Sequence, residues 1–385
     1  MKIRSLRQSL KKNRAFADYT MLFIVLFLLL FGLVILYSVS AYDGNVNYGD
    51  SSYFLRRQLI STIIGLGVLF LVSRIPYHVY ERMAQVAYIL SYIVILLIIP
   101  FGSVRNGAKR WIIILGLSFQ PAEAAKLGMI IFLAYFICKL GRGIRTWKGL
   151  GAVALFTLPV CLLIYGVTSN LSSAIIVFGI AFVMVFVASP DYKRYILIVL
   201  GGVALIALAV FIMVKSAESG VGGFRSERVL AWLDPEAYAS GKGFQTLQAL
   251  YAIGSGGYGG KGLGESMQKL GFLPEAQNDM IFSIICEELG LFGALSVMAL
   301  FTILIWRCMM IADNAPDLFG ALLVVGVMAH IGIQVVLNIA VVTNVIPNTG
   351  ISLPFISYGG SSVLFLLAEI GIVFSVGKGI ELKDL

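Results

Sequence analysis

Four carboxylates lie close together in the segment 271-GFLPEAQNDMIFSIICEELGLFG-293, where a loop runs into an apolar helical pattern. They are Glu275, Asp279, Glu287 and Glu288. A carboxylate in a partly desolvated cleft can act as a general base when its pKa approaches the working pH. Asp279 is the last charged residue before the apolar run, so it can act in this way or cap the helix N-terminus. From its residue type alone, Asp279 is better explained as a helix cap than as a general base.

Helix geometry divides the roles of these acids. Glu287 follows Asp279 by eight residues, which is about 12 Å along a helix axis. Glu288 points about 180° away from Asp279 around the same axis. Neither can share a substrate atom with Asp279, so a cooperating pair of the glycosidase kind is excluded within this segment. We predict one catalytic acid at the mouth of the helix, Asp279, and two helix-packing acids below it.

The composition indicates a membrane protein. The chain has 385 residues, of which 59% are hydrophobic and 13% charged, whereas soluble domains carry about 25% charged residues. Runs of about 20 apolar residues, enough to cross a bilayer, recur along the chain. The first begins near Tyr19 without a cleavage site after it, so it reads as a span and not as a signal peptide. We predict an all-α polytopic fold with ten spans: 18–41, 58–74, 84–101, 121–139, 149–166, 172–189, 194–214, 280–306, 318–342 and 355–377.

The distribution of Lys and Arg orients these spans. The net charge of +9 is concentrated in the N-terminal segment, the loop 139–148 and the turn 190–195, which share one face under the ten-span model. Cytoplasmic loops carry the excess of Lys and Arg, so this face is predicted to be cytoplasmic, and the charge indicates membrane orientation in preference to nucleic-acid binding.

The same model fixes the organisation of the chain. We expect one membrane domain over 1–385, with cytoplasmic tails at 1–17 and 378–385. The loop 215–279, between the seventh and eighth spans, is then extracytoplasmic and is the only extramembrane segment large enough to hold a site of its own.

Ionisable residues inside spans are costly and usually face the bundle interior or a cavity. Glu123 and Lys126 are three residues apart on one helix face. They can neutralise each other as a structural pair or take part in the function of the protein, and their positions favour neither alternative. Glu369 has no partner nearby in sequence and must find one across helices or line a cavity.

A polar stripe marks the ninth span. His330, Gln334 and Asn338 repeat every four residues, a pattern that favours interhelical hydrogen bonds over a functional site. The two histidines of the chain are too far apart for a zinc motif. The cysteines lie in or at the ends of apolar runs, which predicts free thiols and neither disulfides nor metal ligands; they are Cys138, Cys161, Cys286 and Cys308.

The segment 254-GSGGYGGKGLGES-266 contains a G-x-G-x-x-G match. It lacks the strand-turn-helix context of a dinucleotide fingerprint. A flexible loop or close backbone packing is therefore the favoured interpretation. A backbone cradle for a phosphate-bearing ligand, aided by Lys261 and Lys269, is the alternative.

Four blocks of the chain resemble the SEDS family, the FtsW, RodA and SpoVE proteins of bacterial division, elongation and sporulation. They are 107-GAKRWIIILGLSFQPAEAAKL-127, 228-RVLAWLDPEAYASGKGFQTLQALYAIGSGGYGGKGLGES-266, 271-GFLPEAQNDMIFSIICEELGLFG-293 and 343-TNVIPNTGISLPFISYGGSS-362. They occur in order over essentially the whole chain, and the LPEAxxDxIF and ISLPFISYGGSS patterns are specific. The wording PFISYGGSS leans toward the FtsW and SpoVE branch.

The resemblance implies a ten-span glycosyltransferase of the bacterial plasma membrane that polymerises lipid II into β-1,4 glycan strands and releases undecaprenyl diphosphate. It implies a class B penicillin-binding transpeptidase and other division or elongation proteins as partners. It places the catalytic aspartate at Asp279, and the Arg-Trp motif at Arg110 and Trp111. No cofactor is implied with certainty, and a divalent cation is left open. Where the family often has an acidic residue at the start of the sixth span, this chain has Asn170, so no role is carried to that position.

The implied chemistry agrees with the residues. Asp279 is expected to be the base for the acceptor hydroxyl, while Lys109, Arg110 and Lys269 are expected to stabilise the departing diphosphate. Glu275 belongs to the loop that presents Asp279. Direct displacement would invert an α-linked donor into a β-linked product.

Two other functions fit the same family. A lipid II flippase would need a midplane binding site, whereas the unusual residues of this chain concentrate at the predicted outer face. A non-catalytic scaffold for a transpeptidase would not need Asp279 at all.

Overall fold

The computed structural model describes residues 18–105, 108–114, 117–189, 191–218, 224–241 and 243–380. The predicted N-terminal tail and the last five residues of the C-terminal tail lie outside the described residues. The helices are α1 Tyr19–Tyr48, α2 Tyr53–Val72, α3 His78–Leu96, α4 Ile98–Phe101, α5 Pro121–Leu140, α6 Trp147–Thr168, α7 Leu171–Ala188, α8 Tyr192–Glu218, α9 Phe224–Leu233, α10 Phe244–Gly256, α11 Ile281–Asp313, α12 Leu318–Val342 and α13 Gly360–Gly377. A 3₁₀ turn, Gly141–Arg145, follows α5.

Ten helical segments in the described part of the chain are long and apolar enough to cross a membrane, which confirms the predicted all-α, ten-span fold. Several ends differ from the prediction by five to seven residues: α2 and α3 begin earlier, at Tyr53 and His78, and α11 ends later, at Asp313. Helix α1 continues to Tyr48, seven residues beyond the predicted span, and Gly49 ends it with a left-handed backbone. Helix α13 begins at Gly360 and not at 355, because the residues before it form a non-helical segment that packs against other elements.

Burial is uneven among the spans. In α13, 78% of the most apolar 18-residue stretch is buried within the protein. In α8, none of the corresponding stretch is buried. The apolar side chains of α8 therefore face outward, as expected for a helix surrounded by lipid. All four cysteines are free thiols, as predicted, and only Cys138 is partly exposed.

A small antiparallel sheet precedes α5. Its strands are β1 Gly102–Arg105, β2 Ala108–Ile114 and β3 Leu117–Phe119, in the order β1-β2-β3. Ser103 pairs with Trp111 and Ile112 with Phe119. The run of aromatic and β-branched residues in β2 fits a strand better than a helix. The sheet lies at the end of the bundle where α3 ends and α5 begins.

Helix α11 is broken at Gly290, whose φ of 66° lies in the left-handed region. The break leaves helical backbone groups without intrahelical partners, and the glycine-rich segment before α11 supplies them. The Lys261 N–H donates to the Glu287 carbonyl (2.9 Å), and the Leu291 N–H donates to the Gly257 carbonyl (3.0 Å). The glycine-rich segment therefore packs its backbone against the backbone of the broken helix. Of the two forms in its favoured interpretation, this is the close backbone packing and not the flexible loop.

Gly260 is the closest point of this contact. A Cβ placed on Gly260 would lie 2.2 Å from the Glu288 carbonyl oxygen, and its φ is +79°. The neighbouring Gly259 has open space around the same position.

We predict that Gly260→Ala destabilises the protein while Gly259→Ala does not. A left-handed backbone costs an L-residue about 1–2 kcal/mol, and the clash with the α11 backbone adds to that cost. Thermal unfolding of the purified protein in detergent, followed by the reaction of its buried cysteines with a thiol-specific dye, measures the difference. Equal midpoints for the two variants would contradict the packing described here.

Candidate active site

Asp279 lies two residues before α11 and faces a segment that joins α12 to α13. Its side chain is 9% exposed. The Oδ1 atom has no hydrogen-bond partner among the described residues. A Cβ placed on Gly350 would lie 3.7 Å from Oδ2, so the backbone of this glycine borders the carboxylate. The structure thus presents a buried carboxylate with one oxygen left for a further donor.

Asn338 fixes the backbone on both sides of this carboxylate. Its Nδ2 donates to the carbonyl of Asp279 (2.8 Å) and to the carbonyl of Ile351 (2.6 Å). The side chain of Asn338 is fully buried on α12. This residue of the predicted polar stripe therefore joins the Asp279 segment to the segment that contains Gly350.

The surroundings of Asp279 favour its protonated form. Burial, followed by the negative charge of Glu275, raises the pKa of the Asp279 carboxyl to about 7. The positive charge of Arg228 opposes this rise in pKa. A carboxyl with a pKa near neutrality can accept a proton and release it again at physiological pH.

Two guanidinium groups, those of Arg110 and Arg228, are close enough to influence each other. Arg110, on β2, donates from Nε to the Thr168 carbonyl (3.3 Å) and from Nη2 to the Ser169 carbonyl (3.1 Å). Burial, together with the nearby positive charge of Arg228, lowers the pKa of Arg110. Arg228 also acts on Asp279, so both Arg110 and the carboxylate are within reach of its positive charge. Such a pair of guanidinium groups is suited to an anionic group such as a diphosphate.

The sequence analysis did not assign a role to Arg228. Arg228 is the first residue of the sequence RVLAWLDP and lies on the short helix α9. Hydropathy does not distinguish this helix from the rest of the predicted loop 215–279. The signal available in the sequence was an arginine at the start of an amphipathic segment within this loop.

The predicted substrate residues occupy different surroundings. Lys109 is exposed beside Arg110 on β2. Trp111 is half-buried, and its carbonyl accepts a hydrogen bond from Ser103 Oγ (3.0 Å). Glu275 has a φ of 54° and its carboxylate accepts from the Asn278 side chain, so it shapes the turn before Asp279.

Lys269 does not face the site as a free cation. Its ammonium forms an ion pair with Glu288 (2.7 Å) and donates to Ser38 Oγ on α1 (2.9 Å). The Lys269 side chain is 8% exposed and that of Glu288 is fully buried. The charge of Lys269 is thus compensated within the protein, and we leave it out of the diphosphate site.

Glu287 is held in a similar way. Its carboxylate accepts from Lys261 Nζ (2.7 Å), Ser266 Oγ (2.5 Å) and the Met267 N–H (3.2 Å). Glu287 and Glu288 therefore both join the preceding glycine-rich connection to the broken helix. These contacts are more specific than the helix packing predicted for the two acids.

The polar side chains deeper in the bundle meet partners on other helices. Lys126 lies 2.8 Å from Glu123 and donates to Gln334 Oε1 (3.4 Å). His330 Nδ1 lies 2.8 Å from Glu369 Oε2, with both side chains fully buried. The polar stripe of α12 thus contacts α5, α13 and the Asp279 segment from successive turns, which fits a structural network below the site.

Asn170 caps α7, because its Oδ1 accepts from the Ser173 N–H (3.1 Å). The next turn of α7 touches the site, since Ser172 Oγ donates to the Thr349 carbonyl beside Gly350. Within the described residues, no cluster of three or more His, Cys, Asp or Glu side chains is arranged to hold a metal ion.

Comparisons with known proteins agree on one family. The model of the FtsW, RodA and SpoVE family, described as cell cycle proteins, matches residues 19–380. Stage V sporulation protein E of Bacillus subtilis is 38% identical over 94% of this chain and 97% of its own. The probable peptidoglycan glycosyltransferase FtsW of Trichlorobacter lovleyi is 37% identical over 96% of this chain and 95% of its own.

Solved structures show the same architecture. A peptidoglycan synthase complex, described for its coordination of polymerization and crosslinking, contains a chain that superposes with a TM-score of 0.77 at 30% identity, over 94% of this chain and 98% of that one. The rod shape determining protein RodA of Thermus thermophilus superposes with a TM-score of 0.68 at 28% identity, over 95% of this chain and 98% of that one.

We predict that Asp279→Asn stabilises the protein in a pH-dependent way. A raised pKa means that the folded protein holds this proton while the unfolded chain releases it, so the wild type loses stability as the pH rises from about 4 to about 7. Asparagine mimics the protonated acid and avoids this loss, which approaches about 4 kcal/mol above neutrality. Thermal unfolding of both proteins at pH 5 and pH 8 checks this, since the advantage of the variant should be larger at pH 8. A constant difference would show that Asp279 ionises as it does in water.

Proposed function

The chain belongs to the FtsW, RodA and SpoVE family, and from this premise we propose that it is a peptidoglycan glycosyltransferase that polymerises lipid II. The observation that supports this most directly is the buried Asp279 carboxylate, which has a raised pKa, one oxygen without a partner among the described residues, and the positive charge of Arg228 acting on it. The names of the relatives support the reaction class, and the geometry supports the roles of the residues.

Asp279 is the general base of this reaction. Its carboxylate takes the proton of the 4-hydroxyl of the acceptor N-acetylglucosamine as the hydroxyl oxygen attacks the anomeric carbon of the donor. The new carbon–oxygen bond forms as the bond from that carbon to the diphosphate oxygen breaks, and the electron pair leaves with undecaprenyl diphosphate. Attack opposite the leaving group converts an α-linked donor into a β-1,4 product.

The cations of the site stabilise the leaving group. Negative charge develops on the bridging oxygen as the diphosphate departs, and preorganised donors in a desolvated site stabilise such charge strongly. Arg110 and Arg228 supply guanidinium groups that suit phosphate oxygens. Exposed Lys109, next to Arg110 on β2, adds positive charge at the entrance.

The membrane-held tail of the substrate needs an apolar surface next to this site. A groove of about 520 Å³ runs along α8 and is lined by Val203, Ile206, Val210 and Phe211, with Trp232 at its end. Because α8 buries none of its most apolar stretch against the bundle, lipid can reach this groove directly. We assign it to the undecaprenyl chain.

The setting follows from the family. The protein is a multi-pass protein of the bacterial plasma membrane, with both termini cytoplasmic and the Asp279 end of the bundle outside. Its partner is a class B penicillin-binding transpeptidase, a pairing supported by the likeness to a chain of a peptidoglycan synthase complex.

The central prediction is that Asp279→Asn abolishes glycan synthesis. Loss of a general base slows a reaction by about 10²–10⁴-fold, while the folded protein is retained. Purified wild type and variant, each with the transpeptidase partner, are incubated with lipid II in detergent, and the glycan product is separated by size. Detergent removes the two compartments that a flippase needs, so polymer from the wild type supports the enzyme. Polymer made at the wild-type rate by the variant would refute the role of Asp279.

A second prediction concerns the pH dependence of the reaction. The negative charge of Glu275 raises the pKa of Asp279, so Glu275→Gln should lower that pKa and move the acidic limb of the rate profile to lower pH. Glu265→Gln makes the same charge change at an exposed position of the same connection. Initial rates from pH 5 to pH 8 distinguish the two variants, and equal displacement of both profiles would argue against a specific effect of Glu275.

A further inference from the structure

A second cavity lies between α9, the start of α10 and the loop before Asp279. It has a volume of about 270 Å³, and its lining includes Arg228, Trp232, Phe244, Gln245, Pro274 and Asn348. Small-molecule sites usually measure about 300–1,000 Å³ and combine aromatic walls with a few polar groups. This cavity lies just below that range, so it suits one ring with its substituents and not a whole disaccharide-peptide.

The polar lining of the cavity is held in place by its own hydrogen bonds. Gln245 Oε1 accepts from Asn348 Nδ2 (2.8 Å), and Gln245 Nε2 donates to the Pro274 carbonyl (3.1 Å). Asn348 Oδ1 accepts from the Gly350 N–H (3.0 Å). The two amides are therefore fixed before a ligand arrives, and a preorganised site avoids the cost of ordering them on binding.

The aromatic wall is fixed as well. Trp232 Nε1 donates to the Asn344 carbonyl (3.1 Å), and Asn344 Nδ2 donates back to the Trp232 carbonyl (3.2 Å). This exchange locks α9 onto the connection between α12 and α13. The indole ring then offers a rigid face, whose negative potential attracts the C–H groups of an apolar ring face.

The cavity is connected to the catalytic carboxylate by backbone. Asn348 holds Gly350, and Gly350 borders Asp279 Oδ2. Pro274, in the cavity wall, belongs to the loop that ends at Asp279. A ring placed in the cavity would therefore have its edge close to the carboxylate.

The same tryptophan also closes the apolar groove along α8. Trp232 lines both the polar cavity and the groove. One side chain thus separates a polar chamber from a lipid-facing one, an arrangement that suits a ligand with a polar head and an apolar tail.

We propose that the cavity is the acceptor subsite and holds the pyranose ring whose hydroxyl Asp279 deprotonates. This rests on the proposed polymerase function and adds the residues that bind the acceptor. The ring packs its C–H face on Trp232 and meets Gln245 and Asn348 with its polar substituents. The acceptor is favoured over the donor because Asp279 acts on the acceptor hydroxyl. The donor's diphosphate is drawn toward Arg110, which is held on β2 and the end of α6, and toward Arg228 at the edge of the cavity.

The test compares Trp232→Ala with Trp232→Phe. Loss of the aromatic face should raise the KM for lipid II about tenfold with little change in kcat, because the ring contributes to ground-state and transition-state binding alike. Phenylalanine keeps an aromatic face but not the indole N–H, so it should restore most of the affinity. Trp306→Ala, at an exposed position of α11, is the matched control and should behave as the wild type.

A binding measurement completes the test. The soluble disaccharide-peptide head group without its lipid is titrated into the Asp279→Asn protein, and quenching of tryptophan fluorescence is followed. Saturable quenching supports the subsite if it is lost in the double variant that carries Trp232→Ala together with Asp279→Asn. An unchanged KM in Trp232→Ala would overturn it, and so would equal impairment in Trp232→Phe, which would trace the effect to the hydrogen bond to Asn344.

These outcomes separate the subsite from the function beneath it. Glycan synthesis by Asp279→Asn would refute the catalytic base whatever the tryptophan variants do. An inactive Asp279→Asn protein together with unaltered kinetics in Trp232→Ala would refute the subsite alone.

Discussion

A charge that leaves water has to find its counter-charge or its hydrogen-bond donors within the protein, and most of this structure meets that requirement locally. Glu288 is paired with Lys269, and Glu287 is paired with Lys261, each at an N–O distance of 2.7 Å. The carboxylate of Asp279 departs from this pattern, because one of its oxygens has no partner among the described residues. Burial raises the pKa of this carboxyl to about 7. The raised pKa allows Asp279 to act as a base near neutral pH.

The elements around Asp279 can be understood as the support of its carboxylate. A continuous α11 would need no outside partners, but the break at Gly290 lets the glycine-rich segment pack against its backbone. That packing holds the connection that leads to Asp279, and Glu288 anchors the same connection to α1 through Lys269 and Ser38. Asn338 holds the other side of the carboxylate from α12. Rigid elements thus position a site that is built from connections.

Hydropathy was sufficient to predict the ten spans, since each is decided by about 20 neighbouring residues. The segment around Asp279 was also visible, because a carboxylate before an apolar run is unusual on its own. Partners could not be predicted in the same way. Ser38 and Glu288 are 250 positions apart, so a paired Lys269 could not be distinguished from a substrate-binding one in the sequence. Arg228 was missed for the same reason, because its importance lies in its distance from Asp279 and Arg110 in space.

The central claim is that Asp279 is a desolvated carboxyl that exchanges its proton near neutral pH, and its ionisation can be observed without any substrate. Infrared difference spectra of the purified protein, recorded between pH 4 and pH 9, isolate the carboxyl band of Asp279 as the signal that disappears in Asp279→Asn. The account predicts a titration midpoint of about pH 7 for this band. A midpoint near pH 4, the ordinary value for an aspartate in water, would contradict it.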